Sequence, residues 1–475
     1  MIRGGSLRIV GYGVGVLFYL ATAPFLIRHL GVEQFGGYVA VLALIGIIAL
    51  VSDAGLTLVG VREYAARDGA DRMRLLENLL ALRLLVAAAG VAAALTFTTL
   101  AGYSDELVAG TALAGVGLLL LVVQQTYGVA LISQVRVGSL TALEVGRQAL
   151  TAAGLLTLIA LGATVSWLLA VSIPIGLLLA AVCIRIGPAV RPRLDRHEAR
   201  YLIREAIPVA IASTIGSMFY RSAVVVMSIT ATQAETSYFS ASYRVIESLI
   251  AIPSLLCATV FPILARAATN DQDRIASALQ RLAEVGLILG AGSALTLALA
   301  ARPAIAFLAG PEFEPSVIVL QIQAAALPAS FLVSVWATGL WALRGQRGLA
   351  IANAIGVTLA IALAAVAGPL AGARGVAMAM LAAEWVLAAL YLVALIRLRS
   401  GLRPNIGVLW KVLLATAAGL CAVALPVPDL VRATLGAIAY MAIIIWMRAI
   451  PGEVWLAFRA VMRRRDPPEA TAGPA

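Results

Sequence analysis

Two arginines, Arg221 and Arg244, lie inside long apolar stretches of the sequence. An ionisable side chain in hydrocarbon is costly, so such a residue usually has a function. A guanidinium group can hold a phosphate through two parallel hydrogen bonds. Arg221 has no obvious acidic partner on its own helix, which favours binding of an anionic substrate. Arg244 has Glu247 three residues further along, so pairing with Glu247 and binding of substrate both remain open.

Three carboxylic acids in the apolar stretches are candidates for taking up and releasing a proton or another cation, namely Glu247, Glu384 and Asp53. Glu384 has no basic neighbour at helical spacing, so it could exchange a proton or donate a hydrogen bond to a neighbouring helix. Asp53 lies close to the end of its apolar stretch. It is therefore also a candidate for pairing with Arg62 or for capping a helix.

Other polar side chains inside the stretches have weaker claims. Tyr19 and Gln124 could contact sugars, but hydrogen bonds between helices use the same side chains. Glu144 and Arg147 are three residues apart near the end of the fifth stretch, where we expect an ion pair at the membrane interface.

These residues must be positioned by helices that cross a membrane. The chain of 475 residues is 62% hydrophobic and 12% charged, with a mean hydropathy of +0.98, whereas soluble proteins are about 25% charged. Apolar runs of about 20 residues are long enough to cross a bilayer as helices. The pattern predicts an all-α polytopic membrane protein with about 14 transmembrane helices. The stretches are 8–27, 36–58, 79–101, 107–132, 140–162, 164–186, 206–230, 236–262, 282–308, 316–342, 349–369, 372–396, 407–425 and 429–450.

Arginines alternate between the gaps that separate these stretches. The second, sixth, eighth, tenth and twelfth gaps hold two to five arginines each. Because positive charge stays on the cytoplasmic side, we predict that both termini are cytoplasmic. The net charge of +11 therefore indicates membrane orientation and not binding of nucleic acid. The odd-numbered gaps, counted with the ends of the stretches beside them, hold at most one arginine each, and these are Arg28, Arg302, Arg374 and Arg432.

Cysteine and histidine give no sign of a metal site. Cys183, Cys257 and Cys421 lie inside apolar runs and are expected to be core residues. His29 and His197 are isolated in gaps. We expect no cofactor, metal or disulfide.

Several segments carry a resemblance to bacterial polysaccharide-biosynthesis flippases, and together they cover most of residues 15–395. They are 28–36 (RHLGVEQFG), 53–56 (DAGL), 61–65 (VREYA), 238–244 (YFSASYR), 261–262 (FP), 310–313 (GPEF), 340–343 (LWAL), Gln346, Asn353 and 375–377 (GVA). The sequence resembles the Wzx-type oligosaccharide flippases of the MATE-like exporter superfamily. Many relatives carry an acid directly after the position of Arg221, where this chain has Ser222.

The resemblance implies two parallel six-helix lobes around a central cavity, followed by two additional helices. We place the lobes at 1–190 and 191–400, the additional helices at 401–450 and a cytoplasmic tail at 451–475. A weak repeat supports parallel halves, because 33–38 (EQFGGY) aligns with 233–238 (QAETSY). Chance similarity between apolar segments is the alternative.

The resemblance also implies a function. We expect a flippase of the bacterial inner membrane that translocates a polyprenyl-diphosphate-linked oligosaccharide for cell-surface polysaccharide assembly. The lipid bilayer, a polysaccharide polymerase and glycosyltransferases are candidate partners. Alternatives are an ion-coupled multidrug exporter of the same superfamily and a non-transporting membrane scaffold. An enzyme is disfavoured, because Asp105-Glu106 is the only adjacent acidic pair in an outer gap.

Overall fold

The computed structural model describes residues 2–134, 137–188, 190–270, 272–399 and 407–449. Within these ranges all regular structure is helical. The α-helices are α1 (Ile2–Asp53), α2 (Leu56–Ala66), α3 (Gly69–Leu100), α4 (Asp105–Ser133), α5 (Val137–Ala160), α6 (Val165–Ala170), α7 (Ser172–Ile186), α8 (Arg196–Ser217), α9 (Phe219–Thr230), α10 (Gln233–Asn270), α11 (Gln272–Leu299), α12 (Ala301–Leu308), α13 (Ser316–Ala324), α14 (Leu327–Ala342), α15 (Gln346–Leu398), α16 (Gly407–Leu420) and α17 (Asp429–Trp446).

Helix α15 is a hairpin of two antiparallel segments. Gly372 has a φ of 55°, a left-handed conformation that favours glycine, and breaks the helix near its middle. On either side of the break the chain packs against itself, since Tyr391 Oη donates to Asn353 Oδ1 at 2.6 Å. A Cβ built on Gly356 would lie 2.9 Å from Leu387 Cδ1. The eleventh and twelfth apolar stretches are therefore two crossings that run in opposite directions.

Helix α1 also reverses direction, at Gly31, which has a φ of 67°. Before the reversal, His29 Nε2 bonds to the carbonyl of Ala163, just beyond the end of α5. After it, Gly46 lies beside Arg221, near the start of α9. Since α5 and α9 end at the same side of the bundle, the two halves of α1 run in opposite directions.

Contacts between gaps place the odd-numbered gaps together at one end, which we call the outer face. Each of these contacts joins two different odd-numbered gaps or the residues next to them. They are His29 Nε2 to Ala163 O (2.8 Å), Tyr103 Oη to Ser228 Oγ (2.5 Å), Ser166 Oγ to Glu106 O (3.0 Å) and Ala373 N to Glu235 Oε2 (2.6 Å).

The second and sixth gaps meet at the opposite end, the inner face. The contacts are Arg62 Nη2 to Glu205 Oε2 (2.7 Å), Arg67 Nη1 to Glu198 Oε1 (2.7 Å) and Tyr201 Oη to Glu63 Oε1 (3.0 Å). The second and sixth gaps therefore lie at the face opposite to the odd-numbered gaps, as successive membrane crossings require.

Every one of the fourteen apolar stretches falls on helix in the described part of the chain. Nine helices there are long and apolar enough to cross a membrane, or ten if α13 and α14, which meet at 41°, form one span. The polytopic all-helical fold is thus confirmed.

The last two helices pack on the second half of the chain. Tyr440 Oη donates to the carbonyl of Ile288 at 2.7 Å, which joins α17 to α11. Cys183 and Cys257 are buried as predicted, but Cys421 is exposed, because it follows α16 at the edge of the bundle. The lobe boundaries remain a prediction, and the tail at 451–475 lies outside the described residues.

Candidate substrate cavity

A cavity of about 1050 Å³ lies in the helical bundle. Its walls come from the second half of α1, the junction of α8 with α9, and α10, α14 and α15. On α10 the lining runs from Ser240 to Phe261, which at 1.5 Å per residue is about 30 Å of depth. Trp341 and Tyr391 extend the lining to within about two turns of the inner ends of α14 and α15.

Both predicted arginines line this cavity. Arg221 is the third residue of α9, directly after the break that separates α9 from α8, and it is exposed to the cavity. Arg244 is 7% exposed, and its guanidinium carbon lies 5.6 Å from the centre of the Phe35 ring. Such a cation–π contact orients the guanidinium group within the cavity wall.

Gly46 allows Arg221 to occupy its position. A Cβ built on Gly46 would lie 2.2 Å from Arg221 Nη1 and 2.9 Å from its Cζ. Any larger residue at this point of α1 would have to displace the guanidinium group. This contact could not be predicted from the sequence, because Gly46 is one of 42 glycines.

The predicted acids Glu247 and Glu384 line the same cavity. Glu384 is 5% exposed and accepts hydrogen bonds from Tyr220 Oη at 3.0 Å and from Ser330 Oγ at 2.7 Å. Glu384 is thus bonded to α9 and α14 as an acceptor, not as the donor that the sequence analysis considered, and its exchange of a proton stays a prediction. Glu247 is exposed to the cavity one turn after Arg244.

The aromatic part of the lining was not predicted. Tyr220 and Tyr243 stack with ring centroids 4.2 Å apart, and both line the cavity. Tyr220 lies directly before Arg221, which is the only hint in the sequence. The stacked rings fix the hydroxyl that bonds to Glu384.

Two other candidate residues, Gln124 and Asp53, are not brought to the cavity. Gln124 is buried on α4 and does not belong to the described lining. Tyr19 has a side chain outside the described residues. Asp53 bonds instead to Arg83 Nη2 at 2.6 Å and to Thr57 Oγ1 at 2.6 Å.

The suggested pairing of Asp53 with Arg62 is wrong. Arg62 bonds to Glu63 and Glu205 at the inner face. Arg83, which the sequence analysis did not single out, is fully buried on α3 and meets Asp53 where α3 packs against the end of α1. The partner comes from another helix, so no spacing along the sequence could indicate it.

The predicted pair of Glu144 and Arg147 is present. Arg147 Nε donates to Glu144 Oε2 at 3.2 Å, and Arg147 Nη2 donates to Glu144 Oε1 at 2.5 Å.

Aromatic packing closes the bundle beyond the outer end of the cavity. Phe313 is 1% exposed, and its ring centroid lies 6.2 Å from that of Phe35 and 6.0 Å from that of Tyr238. Arg28 Nη2 donates to the carbonyl of Phe307 at 2.7 Å. These contacts join the first and second halves of the chain, so the described cavity is shut off from the outer face.

The fold is similar to that of solved transporters. A structure of the lipid II flippase MurJ in an inward closed conformation superposes with a TM-score of 0.77 at 15% identity, covering 94% of this chain and 99% of that one. An inward-facing multidrug resistance MATE family transporter of the MOP superfamily gives 0.62 at 15% identity, covering 83% and 98%. A MOP superfamily transporter from Pyrococcus furiosus Vc1 gives 0.56 at 14% identity, covering 85% and 96%. The molecule thus has the fold shared by this class of membrane transporters.

Sequence comparison defines the family more narrowly. The chain belongs to the polysaccharide biosynthesis protein family, whose model matches residues 1–268. No curated protein matches the sequence.

Proposed function

We propose that the protein is a flippase that moves a polyprenyl-diphosphate-linked oligosaccharide from the inner to the outer leaflet of the bacterial cytoplasmic membrane. The observation that carries the proposal is that Arg221 and Arg244 line one deep cavity that is closed at its outer end. Membership in the polysaccharide biosynthesis family supports a glycan as cargo.

The two arginines suit the diphosphate of such a substrate. Arginine binds phosphate oxygens through paired N–H donors, and these charge-assisted bonds are stronger than neutral ones. Among the described residues Arg221 has no ion-pair partner, so a bound phosphate would not compete with a carboxylate for it. Arg244, held over Phe35, supplies a second cation within the same cavity.

The remaining lining suits a glycan. Ser334 and Thr338 line one side of the cavity on α14, and Tyr243 lines another on α10. Hydroxyl groups both donate and accept hydrogen bonds, as the hydroxyls of a sugar require. The volume of about 1050 Å³ is at the upper end for small-molecule sites, which are about 300–1000 Å³.

The proposed direction of transport is energetically permitted by the charge of the substrate. An anion that moves outward across an inside-negative membrane gains about 2.3 kcal/mol per charge per 100 mV. Glu247 and Glu384 are our candidates for the step that resets the empty carrier, because both are acids in the cavity wall. We propose that the role of Asp53 is to hold Arg83 in place.

Because arginine-rich gaps favour the cytoplasmic side of a membrane, we propose that the inner face and both termini lie in the cytoplasm. There the protein would receive substrate from glycosyltransferases and deliver it to a polysaccharide polymerase on the other side. We propose no chemical step, because a carrier of this kind only has to bind and release its cargo.

A deletion strain tests the proposal. It should accumulate lipid-linked glycan in the inner leaflet and lose surface glycan, and wild-type protein should restore both. Arg221→Gln should fail to restore them at equal protein level, whereas Arg74→Gln, at an exposed inner-face arginine, should succeed. Normal surface glycan in the deletion strain would overturn the proposal. If that strain were instead more sensitive to drugs, the multidrug exporter would be favoured.

A further inference from the structure

Three of the four arginines in the odd-numbered gaps gather at a second cavity. It has a volume of about 570 Å³ and lies at the outer face, between the second half of the bundle and the C-terminal helices. Arg302 on α12, Arg374 just after the break in α15 and Arg432 on α17 all line it. Arginine is disfavoured on the outer side of a membrane protein, so this convergence calls for a reason.

The lining carries a net positive charge. Among the described lining residues the carboxylates are Glu314 and Asp429, so the three arginines there leave one charge uncompensated. Arg432 is held in place, since its Nη1 lies 2.8 Å from Asp429 Oδ1 and its Nη2 donates to the carbonyl of Val427 at 3.2 Å. Arg432 therefore forms part of the wall.

Arg302 and Arg374 are the arginines that a ligand can reach. Arg302 Nη2 lies 3.4 Å from Glu314 Oε1, and these two side chains are 68% and 66% exposed. An exposed pair of this kind contributes little, about 0–1 kcal/mol, so a phosphate could replace the carboxylate. Arg374 is exposed and has no ion pair within the described part of the chain.

The surroundings of this cavity are apolar and face outward. Val423 and Ile318 line it and are 55% and 37% exposed, and Leu430 beside it is 64% exposed. In a membrane protein such side chains contact acyl chains, whereas the arginines lie at the level of the headgroups. A ligand that fits both would be an anion attached to a hydrocarbon tail.

We propose that this cavity binds the headgroup of an anionic glycerophospholipid, with its phosphate between Arg302 and Arg374 and its acyl chains along Val423 and Ile318. The site is separate from the substrate cavity and would join the C-terminal helices to the bundle through a lipid. Basic pockets between transmembrane helices on the cytoplasmic or matrix side bind anionic headgroups, and the same pairing of arginine with phosphate is proposed here at the outer face.

Lipid binding to the purified full chain tests this site without any transport measurement. Native mass spectrometry would follow titrations with dioleoyl phosphatidylglycerol, with dioleoyl phosphatidylcholine and with inorganic phosphate. We expect phosphatidylglycerol to bind more tightly than phosphatidylcholine. Arg374→Gln should weaken the binding of phosphatidylglycerol roughly fivefold relative to wild type, and the double variant with Arg302→Gln should weaken it roughly 25-fold in total. Arg74→Gln, at the inner face, should leave it unchanged.

Glu314→Gln provides a test of opposite sign. Removing this carboxylate frees Arg302, so phosphatidylglycerol should bind roughly fivefold more tightly. Because Glu314 is exposed, the variant is expected to fold normally. The proposal is overturned if the arginine variants bind phosphatidylglycerol like wild type or if Glu314→Gln does not tighten binding. It is also overturned if inorganic phosphate competes as well as the lipid, which would indicate a site for free anions.

Discussion

Replacing Gly46 by alanine should displace the Arg221 guanidinium group without removing its charge. The new Cβ would lie 2.2 Å from Arg221 Nη1, whereas non-bonded atoms prefer a separation of about 3.5 Å. The guanidinium group must therefore move by about 1.3 Å, which is enough to misalign one of two parallel bonds to a phosphate. A hydrogen bond to a charged group contributes about 1.5–3 kcal/mol. We expect the affinity for a polyprenyl diphosphate to fall roughly tenfold, which corresponds to about 1.4 kcal/mol.

The assay is equilibrium binding of a fluorescent polyprenyl diphosphate to purified protein. Gly13→Ala is the matched control, because it lies on the same helix and a Cβ there meets no atom within 4 Å. Both substitutions replace a helical glycine and gain about 1 kcal/mol of helix propensity, so a difference between them reports on Arg221. Equal affinity of Gly46→Ala and wild-type protein would refute the reasoning.

Three further substitutions test other parts of the structure. Arg83→Met leaves Asp53 without its buried partner, and because Asp53 is 36% exposed we expect a loss of about 3 kcal/mol, at the lower end for a broken buried pair. We would measure this loss as a lower unfolding temperature, detected with a thiol-reactive dye that labels buried cysteines when the protein unfolds. An unchanged unfolding temperature would contradict the prediction. Phe313→Ala should open the outer face, so that an impermeant maleimide added outside labels a cysteine introduced at Ser240. Protection of this cysteine as in the protein with Phe313 would contradict the prediction. Glu384→Gln keeps the shape of the side chain but cannot ionise, and its amide would donate to one of the two hydroxyls that now donate to the carboxylate. We expect it to bind substrate normally and to slow repeated transport in reconstituted vesicles. Full turnover would exclude a role for Glu384 in coupling.

The sequence predicted the fold well, because each crossing leaves a local signature. Apolar length marks the helices, and the distribution of arginine marks the inner gaps. The reversals at Gly31 and Gly372 lie between stretches that the hydropathy had already separated. Contacts between loops at the outer face, such as Tyr103 with Ser228, agree with that alternation.

The site was predicted less completely, because a cavity depends on how helices rotate against each other. Arg221 and Arg244 could be found because a charge in an apolar stretch is itself a signal. Arg83 is also such a charge, but only packing shows that it holds Asp53 and lies apart from the cavity. Gly46 carries no chemical group, and its role follows solely from its proximity to Arg221.

Translocation in vesicles tests the central claim most directly. Purified protein would be reconstituted with a fluorescent polyprenyl-diphosphate-linked oligosaccharide, and transfer between leaflets would be measured by loss of the signal that an external quencher can reach. We predict that wild-type protein and Arg74→Gln transfer the substrate between leaflets. Arg221→Gln should transfer it roughly tenfold more slowly or slower still, because this variant lacks the charge-assisted contact to the diphosphate. Transfer by wild-type protein no faster than in protein-free vesicles, or equally fast transfer by Arg221→Gln, would contradict the account.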